Sequence, residues 1–243
     1  MLSTHTQSSR AELVVSNNKQ QHRKSSSKRL SNAEKMVDMA FDAYRAGDSN
    51  RAYQLLEQAL TIFPGYARAY YNRGVLKAEQ QDVRGAIADY TKTIEMYPDN
   101  LSASKILHLA YNNRGLLYNE LNDNSRAIAD ANKAISLAPH ESGYYTNRGL
   151  AYKNLEKYRD AIADYTRAME LEPNDPCPYY NRGKVYRLTN NYQKALKDLN
   201  RAILLDPNYS WAYAQRYYTY KQLGNSQQAA ADYAKALQLG YQP

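Results

Sequence analysis

The chain has 243 residues, 43% of them hydrophobic, and a formal net charge of +8. Its single cysteine, Cys177, excludes an intramolecular disulfide, and no apolar run approaches the roughly 20 residues of a membrane-spanning helix. We therefore expect a cytoplasmic protein with a packed core, organelle targeting by the N-terminus being the alternative.

Residues 1–32 are polar and basic and show no helical periodicity, which predicts a disordered, Ser-rich basic tail. The charge of this tail comes from six basic residues against Glu12 alone: Arg10, Lys19, Arg23, Lys24, Lys28 and Arg29. Within it, the basic segment 22–29 surrounds three serines, Ser25 to Ser27. Three interpretations stay open: a solvated tail, an electrostatic tether to phosphate-bearing partners, and a phosphorylation switch.

From Ala33 onward, one unit of 34 residues recurs six times, and each copy carries two helical patterns separated by a polar break. Alanine stands at position 20 of every copy, and glycine at position 8 of four copies: Gly74, Gly115, Gly149 and Gly183. Prolines close five copies: Pro64, Pro98, Pro139, Pro173 and Pro207. The copies span residues 33–66, 67–100, 108–141, 142–175, 176–209 and 210–243, and a seven-residue insertion, 101–107, precedes the third.

This pattern resembles the tetratricopeptide repeat (TPR) family, whose unit is a helix–turn–helix of 34 residues. The resemblance covers residues 33–243. It implies an all-α fold, an α-solenoid of six TPR helix hairpins forming a right-handed superhelix. In such a stack, each hairpin buries its core against its neighbours.

Three places depart from the repeat pattern. Seven residues are close to two helical turns, so we expect the insertion to lengthen the next helix to about 102–121, with a loop as the alternative. Tyr217 replaces the glycine of the last copy, which predicts a splayed or shifted hairpin. The last copy also lacks the polar capping helix usual in TPR arrays, so its final helix is a candidate surface for self-association.

No catalytic constellation is visible. The four histidines, His5, His22, His108 and His140, have no metal-ligand spacing to a cysteine or to one another. The repeat glycines occur singly and form no phosphate-binding loop. We expect no enzyme activity, no metal, no cofactor and no small-molecule substrate.

An arginine at position 7 and an aspartate at position 23 occur together in repeats two to six, and repeat one has neither. Their shared presence predicts structural ion pairs within each hairpin rather than ligand contacts. The predicted pairs are Arg73 with Asp89, Arg114 with Asp130, Arg148 with Asp164, Arg182 with Asp198, and Arg216 with Asp232.

Positions 2, 5, 6, 9, 12 and 13 of each first helix form one stripe, and the TPR resemblance implies that this stripe lines a concave groove. At position 6 the chain carries a row of carboxamides: Asn72, Asn113, Asn147, Asn181 and Gln215. This row resembles the asparagine ladder of the O-linked N-acetylglucosamine transferase, which implies contacts to the main chain of an extended peptide. The alternative, solvated carboxamides in a common repeat variant, stays open.

The remaining groove positions are sorted by charge. Acidic residues lie in the early repeats, and cations and aromatic residues lie in the late ones. We therefore expect a peptide whose acidic part lies at the late end. The predicted contacts are Tyr71, Lys153, Tyr180, Lys184, Arg187, Trp211, Tyr218 and Lys221.

The resemblance to chaperone-binding carboxylate clamps is partial, because it is limited to the asparagine at position 6. The clamp also needs Lys and Asn at positions 5 and 9 of the preceding repeat. This chain has Val37 and Phe41, Tyr71 and Val75, Asn112 and Leu116, and Thr146 and Leu150 there. Chaperone termini are therefore not the expected partners.

The leading hypothesis is a non-enzymatic scaffold that binds an extended peptide or a partner helix in the groove and assists complex assembly. The alternatives are an adaptor whose tail binds nucleic acid or an anionic surface, and a structural protein that self-associates through its last helix. Steep salt dependence would indicate the first alternative.

Overall fold

A computed structural model describes residues 4–96 and 105–243 of the chain, with side chains from Ser25 onward. Twelve helices and no strands occur within this part. They are α1 Thr4–Arg45, α2 Ser49–Ile62, α3 Ala67–Glu79, α4 Val83–Glu95, α5 Leu107–Glu120, α6 Asn124–Leu137, α7 Ser142–Asn154, α8 Tyr158–Leu171, α9 Pro176–Leu188, α10 Tyr192–Leu205, α11 Ser210–Gln222 and α12 Ser226–Gln238.

Consecutive helices pack as hairpins, so the predicted α-solenoid architecture is confirmed. The chain forms two compact units, residues 1–101 with repeats one and two, and residues 102–243 with repeats three to six. In the second unit, the first helices of neighbouring repeats lie against each other, α5 on α7, α7 on α9 and α9 on α11. We use the name groove face for the face that these first helices share in the second unit.

Each hairpin turns through a residue with positive φ, followed one residue later by the cap of the second helix. The left-handed residues are Gly47, Gln81, Asn122, Glu156, Asn190 and Gly224. At three caps an aspartate accepts a hydrogen bond from a main-chain N–H three residues later, as Asp82 does from Gly85 at 2.9 Å. The side-chain acceptor satisfies an N–H that has no partner in its own helix, which fixes where the second helix begins.

Small residues let the two helices of a hairpin approach closely. The alanines at position 20 are at most 3% exposed. Gly149 faces the ring of Tyr165, where an added Cβ would come within 2.7 Å of Tyr165 Cε1. The same relation joins Gly74 to Tyr90 and Gly183 to Leu199. These glycines therefore serve helix packing.

The last hairpin absorbs Tyr217 without the predicted splaying. Arg216 and Asp232 still join its two helices at 2.7 Å, as the corresponding residues do in repeats two to five. The ring of Tyr217 lies 4.8 Å from that of Tyr233, which takes the position held by Tyr165 in repeat four. Splaying is wrong because the ring of Tyr233 packs against the extra ring, with 35° between the two planes, while the shifted arrangement stays a prediction.

The N-terminal region differs from the sequence prediction, because α1 begins at Thr4 instead of following a disordered tail over 1–32. Helical hydrogen bonds are local, so a helix that is nucleated by packing propagates beyond its packed part. Among the side chains described from Ser25 onward, the first buried one is Ala33, where the first repeat was placed, whereas residues 25–32 are exposed except for the half-buried Leu30.

The predicted lengthening of the third repeat's first helix is wrong where the chain is described. Lys105 and Ile106 form a turn, Ile106 caps the helix, and α5 begins only at Leu107. Leu107 and Ala110 are buried, so the first turn of α5 is held by the hairpin core. The rest of the insertion, residues 101–104, lies outside the described residues.

Candidate functional site

The position-7 arginines and position-23 aspartates meet inside their own hairpins. Each guanidinium donates two parallel hydrogen bonds to the aspartate, and these ten bonds measure 2.6–2.9 Å. The aspartates are nearly fully buried. The hydrogen bond to Asp164 raises the pKa of Arg148 above its ordinary value. These ten residues form structural ion pairs within the hairpins, so their charged groups are not available to a ligand.

The arginines make a further contact that the sequence reasoning missed. The remaining guanidinium nitrogen donates to the second helix of the preceding hairpin, as from Arg148 to Asn132 at 2.7 Å and from Arg182 to Thr166 at 2.8 Å. Arg73 and Arg216 make the same contact, with Glu57 and Asn200. The sequence did contain a pattern that could have predicted this contact, because position 25, on the second helix, is polar in repeats one to five: Glu57, Thr91, Asn132, Thr166 and Asn200.

Tyrosine rings surround these arginines. The Arg148 guanidinium lies 5.7 Å from the ring centroid of Tyr145 and 5.9 Å from that of Tyr152. Corresponding contacts occur in the other repeats that carry the pair. A cation near the face of an aromatic ring is stabilised electrostatically, which gives many of the chain's tyrosines a structural role.

Several carboxamides of the row on the groove face already form hydrogen bonds within the protein. Asn147 Nδ2 donates to Asn112 Oδ1 at 2.8 Å, and its main-chain oxygen accepts from Asn119 at 3.1 Å. Gln215 is 6% exposed and accepts from Arg187 at 3.0 Å. Asn113 accepts from Asn112 at 3.3 Å. The row therefore links neighbouring first helices as well as facing the groove.

Asn181 differs from the other carboxamides of this row in the second unit. It is half-buried on α9, and its carboxamide has no hydrogen-bond partner among residues 25–96 and 105–243. In the first unit, Asn72 is also half-buried and lines a pocket instead of pairing with a carboxamide. Tyr71 lies beside it, with its ring 5.9 Å from that of Tyr90.

Three of the predicted contacts form a cation cluster on the groove face, Lys153 on α7 and Lys184 and Arg187 on α9. All three are half-buried. Burial, and secondly the charge of Lys184, lowers the pKa of Lys153. Burial, and secondly the charge of Arg187, lowers the pKa of Lys184. The cluster thus holds like charges close together.

Aromatic residues lie beside the cation cluster. The ring of Tyr180 on α9 is 5.0 Å from that of Tyr209, and burial raises the pKa of Tyr180. Tyr165, fully buried, has a hydroxyl without a hydrogen-bond partner in the described part of the chain. Cys177 is exposed at the start of α9.

The late groove residues on α11 contact the C-terminal segment of the chain. Trp211 makes an edge-to-face contact with Tyr241 at 5.0 Å, and the hydroxyls of Tyr218 and Tyr241 are 3.4 Å apart. Trp211 remains half exposed, and Lys221 is exposed. Tyr241 is buried against Ala214 and Ala236, where the other repeats carry proline.

The first unit contains an apolar pocket that the sequence reasoning did not find. It has a volume of about 230 Å³ and lies between α1, α2 and α3. Phe41 and Tyr44 form part of its wall and stay 51% and 38% exposed. The large apolar residue Phe41 at a predicted groove position could have indicated this pocket from the sequence.

In the described residues, no three His, Cys, Asp or Glu side chains are grouped as a metal site. Among the helices of that same part, none combines the length and the apolar character needed to cross a membrane.

Family models identify the chain's class. Three tetratricopeptide repeat models match residues 37–101, 108–141, and 144–175 with 176–209, which together make up more than half of the sequence. Repeat six continues the same hairpin in α11 and α12. The chain therefore belongs to the tetratricopeptide repeat family, as its sequence pattern predicted.

Solved structures show the same fold. MamA is 25% identical, with a TM-score of 0.59, and the match covers 68% of this chain and 93% of MamA. A TPR protein from Parabacteroides merdae is 22% identical, with a TM-score of 0.72 and coverage of 87% and 81%. YrrB, described as a TPR protein with an unusual peptide-binding site, is 20% identical, with a TM-score of 0.62 and coverage of 74% and 89%. A comparison with curated proteins found no match.

Proposed function

We propose that this TPR protein is a non-enzymatic scaffold that binds an extended segment of a partner protein and assists assembly of a larger complex. The proposed binding surface is the groove face of residues 102–243. Protein binding is the general use of the TPR fold, and the fold alone does not name a partner.

The observation that carries the proposal is the unused hydrogen-bonding capacity of Asn181. A carboxamide offers two N–H donors and one oxygen acceptor. Asn181 is half-buried and uses none of this capacity within the described residues. An extended peptide presents unpaired main-chain N–H and C=O groups, which match a carboxamide whatever the peptide's sequence.

Asn147 adds a second contact on the neighbouring helix. Only one of its two N–H donors is used, in the hydrogen bond to Asn112. Helices α7 and α9 are in contact, so both carboxamides belong to one continuous surface. YrrB, whose fold is similar, is described as having a peptide-binding site, which is consistent with this use of the surface.

The experiment is selection from a displayed library of random peptides, followed by affinity measurement with a selected peptide. The double variant Asn147→Ala/Asn181→Ala should weaken binding about tenfold, as expected for two lost hydrogen bonds. Methylating main-chain nitrogens of the peptide should weaken binding similarly. The matched control is Gln193→Ala/Gln228→Ala, which removes two exposed carboxamides from second helices.

Failure to select any peptide would overturn the proposal. Equal affinity of the wild type and the Asn147→Ala/Asn181→Ala variant would also overturn it, provided that circular dichroism shows both folded. If the selected peptides bind only as helices, the extended conformation is contradicted.

A further inference from the structure

Helices α7 and α9 bring together like charges where neighbouring helix pairs bring together hydrogen-bonding partners. The residue at position 12 of one first helix reaches positions 6 and 9 of the next. Asn119 donates to the main-chain oxygen of Asn147, and Arg187 donates to the side chain of Gln215. Arg187 also lies 5.7 Å from the ring centroid of Tyr218, at position 9.

The same relation places Lys153 against position 9 of the next repeat, which is Lys184. Lys153 makes no hydrogen bond to Asn181 at position 6 of that repeat, and two ammonium groups cannot form the contact that Arg187 makes with the Tyr218 ring at position 9. Burial, and secondly the charge of Lys184, lowers the pKa of Lys153, and the half-buried ammonium groups of Lys153 and Lys184 carry the same charge on two helices in contact. Arg187, three residues after Lys184 on α9, adds a third positive charge to this point.

No carboxylate balances these charges within the described residues. Lys153 and Lys184 make no hydrogen bond or ion pair there, and Arg187 is bonded to a neutral carboxamide. Other lysines of the chain do find acidic partners, Lys77 with Asp89 at 2.9 Å and Lys92 with Glu95 at 2.7 Å. Half-buried, unpaired like charges reduce stability, and such local conflict is typical of a binding site.

We infer that the cation cluster of Lys153, Lys184 and Arg187 is an anion-binding subsite that takes neighbouring carboxylates of an acidic peptide segment. The inference rests on the proposed function and names the chemistry of the segment at this point of the groove. Two carboxylates would neutralise the lysines and accept hydrogen bonds from their ammonium groups.

The surroundings suit a peptide better than a free ion. Asn181 stands at position 6 of the helix that carries Lys184 and Arg187, so a main-chain contact and a charge contact arise from one helix. Tyr180, adjacent to Asn181 in sequence, adds a half-buried ring with its hydroxyl. Main-chain, charge and aromatic contacts together match a segment of polypeptide.

The test uses the full chain and a fluorescein-labelled peptide of alternating Glu and Ser, compared with the same peptide carrying Gln or Lys in place of Glu. Fluorescence anisotropy should show binding of the Glu peptide only. The charge-reversed variant Lys153→Glu/Lys184→Glu should lose at least about tenfold in affinity for it, the effect of losing one charged hydrogen bond or more. The same variant should gain affinity for the Lys peptide.

The control is Lys133→Glu/Lys197→Glu, which changes the net charge equally on exposed positions of α6 and α10. It should keep the wild-type affinity for the Glu peptide apart from a small long-range effect that salt removes. Equal losses in both variants would overturn the subsite, because they would indicate attraction by net charge alone. The charge reversal replaces one pair of like charges with another, so thermal unfolding of both variants verifies that each remains folded.

Two further outcomes separate this inference from the proposed function. If library-selected peptides bind through Asn147 and Asn181 but carry no acidic residues, the scaffold function stands and the anion subsite is refuted. A single-stranded oligodeoxythymidine is measured in parallel. If Lys153→Glu/Lys184→Glu weakens DNA binding more than binding of the Glu peptide, the subsite serves nucleic acid and the inference is overturned.

Discussion

Arg148 joins three helices through Asp164 and Asn132. It donates two hydrogen bonds to the carboxylate of Asp164 in its own hairpin and a third to Asn132 in the preceding one. Replacing Arg148 with Met leaves Asp164 buried without its counter-charge, so we expect the free energy of unfolding to fall by about 3 kcal/mol or more. Urea denaturation measures this change.

The control for this prediction is Arg167→Met in the neighbouring helix α8. Arg167 forms an exposed ion pair with Glu170 at 2.8 Å, and such pairs contribute about 0–1 kcal/mol. Adding Asp164→Asn to Arg148→Met should recover part of the loss, because it removes the unpaired charge. Equal effects of Arg148→Met and Arg167→Met would contradict the structural role of the pair.

Two glycines of α7 allow a matched test of helix contact. A Cβ at Gly149 would meet the Tyr165 ring at 2.7 Å, whereas a Cβ at Gly143 would meet nothing within 4 Å. Gly143→Ala should therefore stabilise the protein by up to about 1 kcal/mol through helix propensity. Gly149→Ala should destabilise it despite the same propensity gain, since the Tyr165 ring must move. Thermal unfolding of both variants measures these changes in stability. If Gly149→Ala stabilised the protein, the Tyr165 ring could move aside without cost, which would contradict the prediction.

Glu156 occupies the left-handed region, with a φ of 58°, at the turn between α7 and α8. A side chain there costs roughly 1–2 kcal/mol that glycine avoids. Glu156→Gly should raise the free energy of unfolding by about 1 kcal/mol, and the reciprocal change Gly224→Glu in the last hairpin should lower it. Gly224 has a φ of 73°. Chemical denaturation of both variants provides the measurement, and a loss of stability in Glu156→Gly would refute the strain.

The repeated positions made the fold predictable, because the same small and large residues recur at fixed spacing. Gly149 and Ala161 appear in a sequence comparison as repeated small residues, and the structure places them where the helices approach. Departures from the repeat were harder to predict. The consequence of Tyr217 depended on how Tyr233 could tilt, and the start of α5 depended on the burial of Leu107, neither of which spacing encodes.

The groove face was only partly predictable for a similar reason. The carboxamides share one register in the sequence, yet in the second unit Asn147 pairs with Asn112 and Gln215 pairs with Arg187. Asn181 makes no such pair within the described residues. These pairings depend on the neighbouring repeat rather than on the repeat's own pattern. The conflict between Lys153 and Lys184 likewise becomes visible only when position 12 of one helix is known to meet position 9 of the next.

The burial of Lys153 and Lys184, together with the positive charges beside them, predicts an unusual dependence of stability on pH. The pKa values of Lys153 and Lys184 are lowered in the folded state, and the unfolded values are about 10.4. Between the folded and unfolded values, the unfolded chain binds more protons, so these lysines make stability rise with pH in that range. The variant Lys153→Met/Lys184→Met lacks this contribution. It should be more stable than the wild type at pH 7, and its advantage should shrink as pH rises towards 10. Urea denaturation across this range measures the difference in the free energy of unfolding, and Lys133→Met serves as the control at an exposed position. An advantage of the double variant that grows with pH would contradict the repulsion, and with it the argument that an acidic partner relieves it.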